Sequence, residues 1–69
     1  MKKLDLIKQL RAIARAGDTD LEFVREGANH EVWSIGDKRL VIPRHREINE
    51  HTAKGIIKRA EEVATDGNE

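Results

Sequence analysis

Two apolar stripes at helical spacing bracket this chain, and they constrain its fold more than any other feature. Leu6, Ile7, Leu10, Ile13 and Ala14 follow the i, i+1, i+4, i+7, i+8 pattern of one helix face, which predicts an amphipathic helix over residues 3 to 16. Ala53, Ile56, Ile57, Ala60, Val63 and Ala64 repeat the pattern near the other end, and Asn49 is a suitable N-cap for that second helix. Each stripe must be covered by something else. Only about thirty residues lie between them, so what covers both has to be small.

The intervening residues read as strands. LEFVRE (21 to 26) alternates Leu21, Phe23 and Arg25 against Glu22, Val24 and Glu26. Gly27, Ala28, Asn29 and His30 form a hairpin connection, because Gly and Asn tolerate positive φ, and EVWSI follows as a second strand. Gly36 and Asp37 supply a tight turn into KRLVIP, which Pro43 ends by removing a ladder donor. RHREIN is expected to be a loop. Gly17 is the predicted left-handed C-cap of the first helix, and TDGNE (65 to 69) a frayed tail. The expected fold is a single two-layer α+β domain over residues 1 to 69, ordered α-β-β-β-α, with a three-stranded antiparallel sheet and both helices on one face.

With Trp33 and Ile35 turned inward beside Leu21, Phe23, Leu40 and Ile42, alternation sends His30, Val32 and Ser34 to the uncovered face with Val24 and Val41. A valine patch beside a histidine there suits a protein partner better than water. Gly55 lies inside the second helix, where it costs about 1 kcal/mol relative to Ala, so either another element packs close there or the cost is tolerated.

Absence of cysteine excludes a disulfide framework and thiolate metal sites, which makes a reducing cytoplasm the simplest location. No apolar run approaches the roughly 20 residues that span a bilayer, so no membrane partner is expected. Net charge is zero but segregated: +4 over residues 1 to 16, −4 over 17 to 36, +3 over 37 to 46, +1 over 47 to 59 and −4 over 60 to 69. Basic segments folded side by side would still make a phosphate-binding face.

Three sets of residues could carry chemistry. His30 is the candidate general acid or base, because imidazole titrates near neutrality, although a histidine beside a hairpin is more often a solvated or hydrogen-bonding residue. Glu26 and Glu31 near it read as solvated charges. Arg44, His45, Arg46, His51 and Lys54 crowd a loop and the first turn of a helix, where guanidinium groups and backbone donors can hold phosphate. His45, Glu47 and His51 match no metal-ligand spacing, so neither a metal nor another cofactor is expected. Trp33 reads as core, since one aromatic is no base-stacking platform.

VREGANHEVW followed by VIPRHREINEHTAKGIIKRA resembles the HicA family of bacterial toxins, small ribonucleases of toxin-antitoxin pairs, and the likeness runs through nearly the whole chain. The resemblance implies a double-stranded-RNA-binding-like α-β-β-β-α fold. It also implies an mRNA interferase with His30 as the catalytic residue, monomeric alone and inhibited by a HicB-like antitoxin over the active site. On that reading Asn29, Arg44, His45, Arg46 and Lys54 are expected to contact RNA, and Val24, Val32 and Val41 the antitoxin. Where many members carry Gly-Ser-His, this chain has Ala28 and Asn29 between Gly27 and His30, so the hairpin geometry is in question. A non-catalytic RNA-binding or protein-interaction module is the competing expectation.

Overall fold

The computed structural model describes residues 1–66. Their order is α1 (Lys3–Ala16), β1 (Leu21–Glu26), β2 (His30–Ile35), β3 (Lys38–Pro43) and α2 (Glu50–Asp66). The strands form one antiparallel sheet in the order β1-β2-β3. Leu6, Leu10 and Ala14 from α1, Leu21, Ile35, Leu40 and Ile42 from the sheet, and Ala53, Ala60, Val63 and Ala64 from α2 make one buried cluster. Both apolar helix stripes are thereby spent on one side of the sheet.

The ends of the helices are fixed locally. Asn49 caps α2, its Oδ1 accepting from His51 N at 2.8 Å while its carbonyl accepts from Ala53 N at 2.8 Å. No side chain caps α1. Instead Lys3 N donates to the Arg46 carbonyl at 2.8 Å, and Met1 exchanges two backbone bonds with Ile48. The 44 to 49 connection is thus more than a loop: Lys2 bridges to Glu47, and Ile48 is buried in the core. Residues 65 and 66, expected to fray, continue α2, and the rest of that expected tail lies outside the described residues.

Glycine acts differently from expectation at α1. Gly17 has φ −89°, and the left-handed residue is Asp18 at φ 63°. What demands glycine at position 17 is space, since a Cβ there would lie 2.6 Å from the Ala64 carbonyl oxygen of α2. Gly36 does turn left-handed, at φ 60°, in the two-residue connection of β2 to β3. At Gly55 nothing comes within 4 Å of a Cβ, so the helix carries that glycine without a close neighbour.

Strand β1 departs from simple alternation. Pairing passes from Phe23–Trp33 directly to Arg25–Val32, leaving Val24 as a bulge. The inserted residue inverts the phase, so Arg25 shares the face of Val32 and Glu26 that of Glu31, the reverse of the alternation expected. Phe23, predicted as core, is 49% exposed: β1 is an edge strand whose inward positions lose cover beyond Leu21. Its ring instead meets Trp33 edge-on, with centroids 5.4 Å apart.

Candidate active site

The sheet delivers His30 as the first residue of β2, paired with Pro43 and exposed. The preceding hairpin closes without positive φ at Gly27, Ala28 or Asn29. Gly27 N donates to the His30 carbonyl at 2.7 Å. A Cβ on Gly27 would lie 3.0 Å from that carbonyl oxygen, 3.4 Å from His30 Nε2 and 3.5 Å from Cδ2. The imidazole therefore rests against the bare Cα of Gly27. Glycine here makes room for the His30 carbonyl oxygen, the one tight contact, while the ring lies at ordinary contact distance; no unusual backbone angle is involved.

Arg44, just beyond β3, closes the hairpin from the side. Its Nη1 donates to the Gly27 and Ala28 carbonyls at 3.2 and 3.4 Å, its Nη2 stands 3.7 Å from the Glu26 carboxylate, and its backbone N donates to the Asn29 carbonyl at 3.4 Å. These are long contacts on a half-exposed side chain. Taken singly each is weak, but all four tie one residue to the segment that carries His30.

Glu31, read from sequence as a solvated charge, is the anchor of the same strand. It points to the helix side, pairs with Ile42, and keeps 13% side-chain exposure. Lys3 Nζ lies 2.7 Å from one carboxylate oxygen and the Trp33 indole N–H donates to the other at 2.9 Å. Burial pushes this carboxyl up, but the hydrogen bonds from Lys3 and Trp33, with the charges of Lys3 and Arg44, outweigh it and hold the pKa below the ordinary glutamate value of 4.5. A signal was available in the sequence: Glu31 and Trp33 stand two apart on one strand, and a covered indole N–H needs an acceptor.

The expected RNA contacts are only partly brought together. Arg44 and Arg46 line one groove with Lys2, Lys3, Leu4 and Glu47, where the start of α1 meets the connection to α2. Lys2 and Lys3 were not among the expected contacts, since nothing local in the sequence places the N-terminus beside residue 46. Asn29, His45 and Lys54 are exposed but do not line that groove. Among the described residues no three His, Cys, Asp or Glu side chains cluster in a way that could hold a metal ion.

The valine patch also needs correction. Val24 and Val41 are exposed, at 39% and 56%, but Val32 is buried at 7%. Val32 lies outside the cluster beneath the helices and sits on the middle strand, flanked in register by Arg25 and Val41. No helix among the described residues is long and apolar enough to cross a membrane. Compared with protein-family models, with characterised proteins and with solved structures, the chain matches none.

Proposed function

We propose that this chain is an endoribonuclease toxin that cleaves mRNA without a metal ion, with His30 as its general acid or base, and that a HicB-like antitoxin neutralises it in the cytoplasm. The observation that carries the reading is the seating of His30: an exposed imidazole held against Gly27, on a hairpin that Arg44 ties to the end of the neighbouring strand. In that role the imidazole accepts the ribose 2′-hydroxyl proton as the oxygen attacks the adjacent phosphate, or protonates the departing 5′-oxygen. Arg44 and Arg46, with Lys2 alongside, would stabilise charge on the phosphate and hold the strand. Asn29, His45 and Lys54 remain candidate contacts along its path. Recognition would run mainly through phosphates and 2′-hydroxyls. The antitoxin would cover His30 together with Val24 and Val41 on the same side of the sheet, with Val32 beneath them.

The cationic groove by itself also favours a second reading, an RNA-binding module without catalysis. One experiment separates the two. Purified protein is incubated with labelled mRNA in excess chelator, and His30→Ala is compared for cleavage, affinity and salt dependence. The toxin reading expects cleavage to fall by about 100-fold or more while affinity and its salt slope persist. Equal cleavage by a folded His30→Ala protein rejects it, and binding without any cleavage by the unaltered chain selects the module.

A further inference from the structure

The two edges of the sheet are treated differently by this sequence. Edge strands expose unpaired backbone N–H and C=O groups, and proteins blunt them with bulges and charges. β1 does both: Val24 bulges out, and Glu22, Arg25 and Glu26 surround it. β3 has no bulge, and all six of its residues, Lys38 to Pro43, stay in register with β2. Up to Pro43, which has no N–H, its outer edge therefore offers an even template.

Beside that edge runs a groove of about 350 Å³ between β3 and α2. Leu40 and Val41 line one side, and Thr52, Gly55, Ile56 and Arg59 the other, with Arg39 at the rim. The four α2 residues fall at i, i+3, i+4 and i+7, one face of that helix. At its centre Gly55 meets nothing within 4 Å, so the width of the groove depends on that missing side chain. The same glycine weakens α2, a cost the isolated domain shows no internal reason to bear.

We propose that the free edge of β3 and this groove receive an extended acidic segment of a partner protein, which adds to the sheet as a fourth strand and turns alternate apolar side chains towards Gly55 and Ile56. Charge and polarity choose the occupant. Arg39 and Arg59 have no ion-pair partner among the described residues, which favours an acidic chain. A second copy would present Lys38 to Pro43, a strand without an acidic side chain, to Arg39 and Arg59. A nucleic-acid backbone would gain nothing from the apolar side chain of Ile56 beside Gly55. Strand addition uses both features present, backbone pairing for affinity and side-chain pockets for selectivity. This surface stands whether or not His30 cleaves RNA.

The test uses isotope-labelled protein and the probe acetyl-Glu-Val-Glu-Val-Glu-Val-amide, with the Lys-for-Glu peptide as control. Saturable NMR shifts are expected at Arg39 to Val41 and at Thr52, Gly55, Ile56 and Arg59, with slowed amide exchange along β3. The Lys peptide should bind at least about tenfold more weakly. Gly55→Leu, which fills the groove on an exposed helix face, should weaken binding by about tenfold or more without lowering the melting temperature. Shifts mapping elsewhere, equal binding of both peptides, or unchanged affinity of Gly55→Leu would overturn the proposal. So would a short RNA duplex that perturbs these amides where the acidic peptide does not.

Discussion

Gly17 and Gly55 allow one substitution to test the packing in opposite directions. At φ −89° and ψ 13°, Gly17 sits where alanine is tolerated, so the backbone adds no penalty to Gly17→Ala. The added Cβ would meet the Ala64 carbonyl oxygen at 2.6 Å, the Ala64 Cβ at 3.0 Å and its carbonyl carbon at 3.1 Å. Two of these three atoms belong to the backbone of α2 and cannot rotate aside. Reaching an ordinary contact of 3.4 Å requires the helices to part by about 0.8 Å where Ala14, Ala60 and Ala64 are packed. Inserting a methyl group into so close a contact costs about 1–3 kcal/mol. That is a large share of the total in a domain this small. At about 4–8 °C per kcal/mol, the melting temperature should fall by about 4–24 °C. Gly55→Ala adds the same atom where nothing lies within 4 Å, so helix propensity alone acts and the protein should gain up to about 1 kcal/mol. Thermal melts by circular dichroism, with urea midpoints at unchanged slope, would read both. The reasoning fails if Gly17→Ala melts at or above the parent, or if both variants shift the same way.

Two further predictions concern the site. Because the Glu31 pKa is depressed on folding, its stabilisation is present above the ordinary glutamate value and is lost as the pH falls through the folded value. Glu31→Gln should therefore cost about 1–2 kcal/mol at neutral pH, with the deficit shrinking as the pH falls through the depressed folded value, and parallel acid-denaturation curves would contradict this. Gly27→Ala should crowd the His30 carbonyl oxygen and shift the hairpin end with the ring it carries, lowering RNA cleavage by about 10- to 100-fold, and a cleavage rate equal to the parent's would show that the seating of His30 does not matter.

The sequence predicted local periodicity well and long-range covering poorly. The bounds of α1, β1 and β3 coincide with the spans read from apolar spacing and turn residues, because both signals lie within the element itself. The bulge at Val24 is different. A β-branched residue in an alternating run looks like any strand residue, and only pairing with β2 reveals the extra one. Ile48 was hidden inside a polar stretch, and its burial depends on the N-terminal residues folding back against it. Gly17 was given the right position for a reason that proved local in expectation and tertiary in fact. At the candidate site, His30 and its exposure follow from the order of the strands. The roles of Arg44 and Gly27 do not, since each is defined by a contact across the hairpin.

β2 places two titratable neighbours in opposite surroundings, and this shapes how the candidate site can work. A side chain that does chemistry must be reachable, yet its backbone must be held, and one strand meets both needs through its alternation. Glu31 turns inward and is fastened by Lys3 from α1 and by the Trp33 indole. His30, one residue earlier, turns outward and remains exposed. Motion of the strand end is opposed from within by a half-buried ion pair and from the rim by Arg44 across the hairpin. Lys3 also belongs to the cationic groove, and the Arg44 charge acts on Glu31. Arg44, one of the groups that would hold a phosphate, is therefore fixed by contacts to the hairpin that carries the imidazole.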